Sequence, residues 1–316
     1  MDFTVLICTH DRPEELRVTL EAMARLELPD GLAGEFLVVD NASGPATRTV
    51  CESFRDRLPI RCLREDQPGK SRALNRGIAA AATPWILQTD DDVTVDPLWA
   101  AHLLAATKAD PGCGFFGGPV AGLPGTPMPA WMAENMDWLR CHPRLDRGPR
   151  LLDVTDPSDL FLIGANFAYR RDLAIRIPHT TTLGPIGSDR RRVGGVGGEE
   201  RDLQRNLIAL GFPGRYLPGA RVYHRDPPHR MTGRFVRQWY YRSGYTEALH
   251  GIEPACPPLL FNAPRHLWRA MVTRGITYAA TRTFGSNRTW LRAVTGAATA
   301  LGQIRGFRAA AARRRS

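Results

Sequence analysis

The stretch Trp85-Ile-Leu-Gln-Thr-Asp-Asp-Asp92 joins an apolar run to three consecutive aspartates, the Asp triplet (residues 90–92). The apolar run predicts a buried strand, so the three carboxylates are presented where that strand ends. Adjacent like charges repel one another, and such a cluster is tolerated mainly where water or a hard divalent cation neutralises it. Magnesium and manganese take oxygen ligands and usually share their coordination with substrate phosphates. The stretch therefore predicts a metal and phosphate site, and an acidic turn with a helix cap before Pro97 is the alternative.

The composition is that of a globular chain with a surplus of basic residues. Of the 316 residues, 43% are hydrophobic, which is enough for a sizeable core in one large α/β domain with an appendage or in two ordinary domains. The formal net charge of +10 favours a polyanionic partner, which could be a nucleic acid, an acidic membrane surface or a phosphorylated ligand. Charge alone does not choose among these three.

The cysteines and the N-terminal segment bear on the cellular location. The six cysteines are scattered and include no Cys-x-x-Cys pair, which argues against a zinc site and a disulfide framework. The chain starts with a strand-like run and lacks the basic and long apolar regions of a signal peptide. No uncharged stretch reaches membrane-spanning length. We therefore expect reduced thiols in a cytoplasmic protein.

Strand and helix patterns alternate along the first half of the chain. Apolar runs predict strands at 3–8, 36–39, 60–63 and 85–89, and helical patterns lie near 13–27, 46–57 and 70–82. This alternation predicts a parallel sheet. In the first helix Asp11 is the expected N-cap, Pro13 lies in the opening turn, and the apolar positions from Leu16 to Leu26 share one face that suits docking onto the sheet.

Polar residues follow three of these predicted strands. Thr9 follows the first strand, Asp40 follows the second, and the Asp triplet follows the fourth. In open parallel sheets, ligands bind beyond the carboxyl ends of the strands. We therefore expect these side chains to converge on one edge of the sheet and to form the ligand site.

The second half of the sequence is less regular. Residues 117–150 are rich in proline and glycine, and 161–169 is predicted as a strand interrupted by Gly164, where a glycine permits close backbone approach. A helix is expected at 200–210 and a last strand at 220–224.

The C-terminal part of the sequence predicts basic helices. One helix follows Pro227-Pro228, and two more are expected at 265–283 and 286–308, ahead of three consecutive arginines at 313–315. Such a basic helical segment suits an anionic bilayer surface. An anionic membrane surface is therefore a candidate partner of the C-terminal helices.

Six short segments, taken in order, resemble the motifs of family 2 glycosyltransferases with the GT-A fold. They are Val5-Leu-Ile-Cys-Thr-His-Asp-Arg-Pro13, Val38-Val-Asp-Asn-Ala-Ser43, Gly69-Lys-Ser-Arg-Ala-Leu-Asn-Arg-Gly77, the Asp triplet, Gly164-Ala-Asn166 and Gly198-Glu-Glu-Arg-Asp-Leu203. The resemblance spans the chain to about residue 245, and the order of the motifs makes it specific. It implies an α/β fold with a mostly parallel sheet flanked by helices, and transfer of a sugar from a nucleotide diphosphate donor with inversion at the anomeric carbon.

The resemblance also implies a division of the chain. The glycosyltransferase domain is expected at 1–225, with a nucleotide-binding half at 1–117 and an acceptor-binding half at 118–225. A basic helical extension is expected at 226–316.

On the donor side, the resemblance assigns roles residue by residue. Thr9 and Asp40 match positions that contact the donor base, and a simple strand-end turn is the alternative for both. Arg72 and Asn75 lie in the stretch that resembles the nucleotide-binding segment, where a solvated helix start is the alternative. Lys70, in the same stretch, is interpreted as a surface charge.

The metal site implied by the resemblance includes Asp90 and Asp92, the outer places of an Asp-x-Asp motif. Asp92 is expected to hold Mg²⁺ or Mn²⁺, Asp90 to reach the ribose or the metal, and Asp91 could contribute. His224 follows the pattern of relatives that place a histidine near the metal and the diphosphate. A structural role is the alternative for His224.

On the acceptor side, Gly164, Ala165 and Asn166 resemble the acceptor loop, with a strand kink that serves packing as the alternative. Glu199 and Glu200 lie where the family often has Glu-Asp, whose second carboxylate is the general base.

The second carboxylate here is Glu200, one methylene longer than aspartate, which leaves Glu199 and Asp202 open as alternatives. A positioned carboxylate that accepts the proton of a sugar hydroxyl contributes typically ~10²–10⁴-fold. An acidic first turn that complements the helix dipole is compatible with the same residues.

A glycine-rich segment at 194–198 precedes these glutamates and is predicted to be a mobile loop that gates the acceptor site. The neighbouring arginines at 190–192 could approach an anionic acceptor or form a solvated run.

The predicted function is that of an inverting, metal-dependent glycosyltransferase of the hexosyltransferase type. UDP or dTDP sugars are the preferred donors, and a glycan or lipid-linked acceptor in cell-surface polysaccharide or glycolipid assembly is expected, on the cytoplasmic face of a bacterial membrane. A sugar nucleotidyltransferase should show a glycine-rich triphosphate loop after the first strand, and the segment from Thr9 to Pro13 is not such a loop. A basic nucleic-acid-binding protein would explain the charge, but strand-end carboxylates without a metal would repel phosphate. No nucleic-acid partner is therefore expected.

Overall fold

The computed structural model describes residues 1–124, 127–156, 158–181, 198–249, 259–284 and 286–313. The chain divides into two compact units. The first includes Met1–Leu123, Pro143–Asp189 and Gly198–Arg225, and the second includes Pro124–His142 and Asp226–Ser316. The predicted arginine run at 190–192, the glycine loop at 194–197 and the arginines at 314 and 315 lie outside the described residues.

The strands before Pro227 are, in chain order, β1 Phe3–Thr9, β2 Gly34–Asn41, β3 Ile60–Glu65, β4 Trp85–Asp90, β5 Val93–Val95, β6 Phe115–Gly117, β7 Val120–Pro124, β8 Leu152–Val154, β9 Phe167–Arg170, β10 Gly214–Tyr216 and β11 Val222–Asp226. The helices before Pro227 are α1 Pro13–Met23, α2 Pro45–Glu52, α3 Lys70–Ala80, α4 Trp99–Ala109, α5 Ala130–Ala133, α6 Arg171–Arg176 and α7 Glu199–Ala209.

The main sheet has the strand order β3-β2-β1-β4-β9-β6-β10-β8 in the described residues. Strands β3, β2, β1 and β4 pair in parallel, as the alternating pattern predicts, whereas β9 runs antiparallel to both β4 and β6. Val5, Leu6 and Ile7 on the central β1 are fully buried, because helices cover both faces of a parallel sheet. A smaller sheet has the order β5-β11-β7.

The start of α1 differs from the prediction. Arg12, not Asp11, is the N-cap, and no side chain caps the helix. Asp11 adopts a left-handed φ of 50°, and its Oδ1 accepts a hydrogen bond of 2.8 Å from the backbone N–H of Gly44. The Asp11 carboxylate therefore connects the loop after β1 to the loop after β2 instead of capping α1.

The predicted strand at 161–169 is confirmed only in its last residues, since β9 begins at Phe167. The backbone of Leu162 bonds the side chain of Gln204 on α7, which donates 2.8 Å to the Leu162 carbonyl and accepts 3.0 Å from its N–H. A side-chain amide thus replaces a strand neighbour at Leu162, and residues 164–165 form a turn.

The second unit contains the helices that follow Pro227. Its elements after Pro227 are a 3₁₀ helix at Pro228–Met231, α8 Gly233–Leu249, β12 Leu259–Leu260, β13 Ala263–Pro264, α9 Arg265–Phe284 and α10 Asn287–Arg313. Helices α8 and α10 approach closely through glycines, because a Cβ at Gly244 would lie 2.3 Å from the Thr299 carbonyl oxygen and one at Gly302 would lie 2.0 Å from that of Tyr241. Among the described helices, none is both long and apolar enough to cross a membrane.

Candidate active site

The parallel register places polar residues together at the carboxyl ends of β1, β2 and β4. Thr9 pairs with Asp40 across β1 and β2, and Cys8 pairs with Asp90 across β1 and β4. The Thr9 hydroxyl donates a 2.7 Å hydrogen bond to Oδ2 of Asp91. The convergence that the sequence predicts is therefore present in the structure.

Arg12 forms ion pairs with the Asp triplet that the sequence analysis did not predict. Its Nη1 lies 2.7 Å from Oδ1 of Asp91, and its Nη2 lies 2.9 Å from Oδ2 of Asp92. Burial raises the pKa of Asp91 to about 7, although Arg12 opposes that rise. Burial also opposes the charge of Arg12, but Asp91 and Asp92 outweigh it and raise the pKa of the guanidinium. Arg12 lies in the loop between β1 and α1, within the first of the six motifs, and its position there did not indicate these partners.

Lys70 is a part of the site and not a surface charge. Its Nζ lies 2.7 Å from Oδ1 of Asp90 and 3.7 Å from Oε1 of Glu199, and its side chain is 20% exposed. Burial disfavours the charged amine, but Asp90 and Glu199 outweigh burial and hold the pKa of Lys70 well above its ordinary value. Lys70 therefore links the end of β4 to the first turn of α7.

Thr19 and Arg225 fix the backbone of the Asp triplet. The Thr19 hydroxyl lies 2.7 Å from the carbonyl oxygen of Asp91 and 2.9 Å from that of Val93. Nη2 of Arg225 donates to the Thr19 hydroxyl at 2.8 Å and to the Glu15 carbonyl at 2.7 Å. Because 72 residues separate Thr19 from Asp91 and 206 residues separate Thr19 from Arg225, neither contact could be anticipated from spacing.

Asp90, Asp92 and His224 form a group that could hold a metal ion. The register of β11 against β5 sets His224 opposite Val93, and its Nε2 lies 3.1 Å from Oδ1 of Asp92. One ligand atom from each of the three residues lies within 4.8 Å of the others. Two carboxylates and an imidazole are ligands that a divalent cation accepts, and the carboxylates suit magnesium and manganese. The residues present therefore fit a divalent metal.

Glu199 and Glu200 begin α7 after Gly198, which adopts a left-handed φ of 103°. Both glutamates have one carboxylate oxygen that is buried without a hydrogen-bond partner among the described residues. Burial, and then the neighbouring Glu199, raise the pKa of Glu200 to about 7, while Lys70 opposes the rise. A carboxylate with a pKa near neutrality is suited to accept a proton.

Gly164 lies against Glu200. A Cβ at this position would be 3.3 Å from Oε1 of Glu200 and 3.0 Å from Nε2 of Gln88. Any larger side chain would therefore press on the Glu200 carboxylate. The backbone of this turn is fixed to β4, since Thr89 donates 2.8 Å to the Ala165 carbonyl and Gln88 donates 3.1 Å to the Gly164 carbonyl.

Two predicted binding residues have their amides engaged elsewhere. Asn166 is fully buried, its Oδ1 accepts a bond from Trp99, and its Nδ2 donates to the carbonyls of Pro119 and Ala220. Asn75 donates 2.9 Å to the carbonyl of His179 and accepts 2.8 Å from its N–H. This geometry favours the packing interpretation of Asn166, and a contact of either residue with a ligand remains a prediction.

Asp40 lies at the edge of a cavity of about 380 Å³ that Ser43, Arg64 and Cys62 also line. Its Oδ2 lies 2.7 Å from Nη1 of Arg64, and its Oδ1 accepts a 3.0 Å bond from the N–H of Ser43. Arg72 is half-buried in the first turn of α3. Their roles at the nucleotide remain predictions.

Comparison with known proteins places this site in context. The sequence pattern of the family described as Glycosyl transferase family 2 matches residues 4–177. The chain is 26% identical over 257 residues to the succinoglycan biosynthesis protein ExoM of Rhizobium meliloti (strain 1021), covering 79% of this chain and 77% of that protein.

Solved structures share the fold. The mannosyltransferase PcManGT from Pyrobaculum calidifontis, in complex with GDP-Man and Mn²⁺, matches with a TM-score of 0.56 and 18% identity over 98% of this chain and 86% of that one. S. aureus TarS 1-349, in complex with UDP-GlcNAc, matches with a TM-score of 0.53 and 14% identity over 100% and 92% of the two chains. The chain spans 41% of the longer TarS chain. At these identities the likeness establishes the fold alone, which is the GT-A fold.

Proposed function

The chain belongs to glycosyl transferase family 2, and from that membership together with the site we propose that it is an inverting, metal-dependent hexosyltransferase that uses a nucleotide diphosphate sugar. The observation that carries the proposal is a group at the end of β4 that can hold a metal, joined through Lys70 to the start of α7, where Glu199 is buried and Glu200 is half-buried. UDP and dTDP sugars are the preferred donors.

The donor is assigned to the carboxyl ends of β1, β2 and β4. Thr9 and Asp40 are proposed to contact the base, and Arg72 and Asn75 the nucleotide. Asp92, Asp90 and His224 would hold Mg²⁺ or Mn²⁺, which when bound offsets the charge of the diphosphate. Residues 1–117 form the nucleotide-binding half in this proposal, 118–225 the acceptor-binding half, and 226–316 a basic extension.

Glu200 is the proposed general base. It accepts the proton of an acceptor hydroxyl while that oxygen forms a bond to the anomeric carbon, and the bond from this carbon to the nucleotide diphosphate breaks on the opposite face. Because the new bond forms on the face opposite the bond that breaks, the configuration of the anomeric carbon inverts. Gly164 keeps space beside Glu200 for the acceptor, with Ala165 and Asn166 supporting the turn.

The acceptor is proposed to be a glycan or lipid-linked saccharide in cell-surface polysaccharide or glycolipid assembly. The similarity to ExoM, named for succinoglycan biosynthesis, supports a polysaccharide setting. A location in the cytoplasm, peripheral on the inner face of the membrane, fits such an acceptor. The anionic membrane surface is the partner proposed for the basic C-terminal helices, and no nucleic acid is required.

A calorimetric panel of UDP, dTDP and GDP, each with Mn²⁺, with Mg²⁺ and with excess chelator, tests the donor and the metal together. We expect UDP or dTDP to bind at least about tenfold more tightly with a divalent cation than with chelator, since the cation shares the phosphate charge. Asp30→Asn changes an exposed carboxylate in the loop before β2 and serves as the control. Equal affinity in chelator would reject the metal, and no binding of any nucleotide would reject the donor class.

A further inference from the structure

The second unit presents an apolar tip on a short hairpin. The tip (residues 259–261) comprises Leu259, Leu260 and Phe261, which are 57%, 39% and 70% exposed. It closes the turn between β12 and β13, where Phe261 and Asn262 have φ values of 50° and 60°. A bulky residue rarely adopts a left-handed φ, and such strain persists where the surrounding structure imposes it. The hairpin therefore holds a large phenyl ring in solvent at an energetic cost.

The hairpin is not a loose loop, because its base is anchored. Nε1 of Trp268 donates a 3.0 Å hydrogen bond to the Leu260 carbonyl, and its ring meets Phe261 edge-on at 6.0 Å. Below the tip, Ala263 packs with Leu267 and Ile304 in a small apolar cluster. The tip is thus presented by a packed support.

A basic cleft, the arginine cleft, begins beside the tip at Asn262. It has a volume of about 720 Å³ and is lined by Tyr241, Tyr245, Asn262, Arg305 and Arg308 among others. Nη1 of Arg305 donates 3.2 Å to the hydroxyl of Tyr241, which orients the guanidinium. Within the described part of the chain, neither arginine forms an ion pair.

The helices that line this cleft carry little negative charge. Helix α10 contains no aspartate or glutamate, and Glu247 is the single acidic residue of α8. Glu247 already accepts hydrogen bonds from Ser243 at 3.3 Å and Gln303 at 3.2 Å. The sequence has no acidic residue after Glu253. The charge of the cleft therefore calls for an anion from outside the chain.

We propose that the arginine cleft binds the phosphate of an anionic phospholipid headgroup while the hairpin tip inserts among the adjacent acyl chains. A guanidinium forms paired hydrogen bonds with phosphate oxygens, and the tyrosine hydroxyls add polar contacts. Exposed aromatic and aliphatic side chains beside basic residues match the boundary between headgroups and acyl chains. A nucleic acid would use the arginines but would leave the apolar tip in water. This inference rests on the proposed membrane association and is separate from sugar transfer.

The test is sedimentation of the full chain with vesicles of phosphatidylcholine alone or mixed with phosphatidylglycerol. We expect binding to the anionic vesicles only, reduced at least about tenfold in Arg305→Gln/Arg308→Gln, since this variant loses both guanidinium groups that attract the anionic surface. Phe261→Ser removes the largest apolar side chain of the tip and should reduce binding roughly tenfold without changing charge. Arg25→Gln/Arg150→Gln removes two exposed arginines of the first unit and should bind like the parent.

Each outcome decides the proposal. Failure of the parent to bind anionic vesicles, equal binding by the cleft and tip variants, or an equal loss in the control variant would overturn it. Retention of the parent on duplex DNA in place of vesicles would assign the cleft to nucleic acid. Because Phe261 is mostly exposed, its variant remains informative if the double arginine variant does not fold. UDP binding measured on the same variants keeps the two proposals apart, because we expect it to be unchanged.

Discussion

The carboxylates at the strand ends and the arginines of the arginine cleft carry opposite charges and differ in how they are paired. In the first unit, Asp90 is paired with Lys70, and Asp91 and Asp92 are paired with Arg12. In the arginine cleft of the second unit, Arg305 and Arg308 have no carboxylate partner among the described residues. Ion pairs within the chain fix the geometry of the Asp triplet. The arginines of the cleft remain available to bind an external anion.

The ion pairs of the Asp triplet affect the stability of the first unit. Removal of one partner from a buried pair costs about 3–5 kcal/mol, because the other charge is left in a medium that solvates it poorly. Exposed arginines carry no such penalty and can be changed with little loss of folding. Removing a charge from the Asp triplet or its partners should therefore lower activity and stability. Removing a charge from the arginine cleft should instead weaken binding to an anionic surface.

The largest effect is expected for Asp92, which contacts both Arg12 and His224. Asp92→Asn should lower kcat/KM by at least about 10³-fold, because the metal that offsets the diphosphate charge would lose a ligand. The measurement is steady-state transfer with Mn²⁺, with Asp30→Asn as the exposed control. Full activity of the parent in excess chelator would contradict the proposal that the Asp triplet binds a metal.

Lys70 should come next. Lys70→Gln is expected to lower kcat/KM by about 10²-fold, since it removes the cation that Asp90 and Glu199 share. Because Lys70 opposes the raised pKa of Glu200, its loss should also move the midpoint of the pH–rate profile upward. Lys70→Arg keeps the charge and is the matched control. A variant with parent activity and an unchanged midpoint would return Lys70 to the role of a surface charge.

The pH dependence of the parent follows from Glu200. A general base acts when deprotonated, so kcat/KM should fall about tenfold per pH unit below a midpoint of about 7 and level off above it. The stability contributed by Glu200 depends on pH in the opposite direction to activity, because its pKa of about 7 in the folded protein exceeds the ordinary value of 4.5. The stabilising contribution of Glu200 is thus present below about 4.5 and lost as the pH rises through about 7.

Thermal unfolding checks that sign. Glu200→Gln should raise the Tm relative to the parent at pH above 7, where the parent buries a charged carboxylate, and should raise it less under acidic conditions. A Tm difference that grows as the pH falls would contradict the raised pKa.

The smallest effect on catalysis is expected for Asn166. Asn166→Ala removes three hydrogen bonds to Trp99, Pro119 and Ala220 and should lower the free energy of unfolding by about 1–3 kcal/mol. The KM for the acceptor should stay near that of the parent. A raised KM with an unchanged Tm would instead support the predicted contact with the acceptor.

Much of the sheet could be predicted from sequence because its signals are local. The apolar runs of β1 to β4 and the polar residues at the ends of β1, β2 and β4 define the edge where Thr9 and the Asp triplet meet. The mostly parallel α/β fold and the family were predicted for this reason. The resemblance to the family also implied a histidine near the metal position, and Nε2 of His224 lies 3.1 Å from Oδ1 of Asp92.

Contacts between distant segments could not be predicted in this way. Lys70 was interpreted as a surface charge because its partners Asp90 and Glu199 lie far along the chain. Asp11 was expected to cap α1, but its carboxylate bonds Gly44. The backbone of Leu162 bonds the side chain of Gln204 and not a neighbouring strand. The sequence pattern around Gln204 did not indicate this contact. Each miss reflects a side chain that reaches across the fold.

The most direct test of the central claim compares Glu200→Gln with Glu199→Gln at fixed donor affinity. Glu199 is buried and Glu200 is half-buried in the first turn of α7, but adjacent helical residues do not share a face, and Oε1 of Glu199 lies 3.7 Å from Lys70. We predict that Glu200→Gln keeps nucleotide affinity and loses ~10²–10⁴-fold in kcat, with a milder loss for Glu199→Gln. An inactive Glu199→Gln beside an active Glu200→Gln would contradict the account and reassign the base.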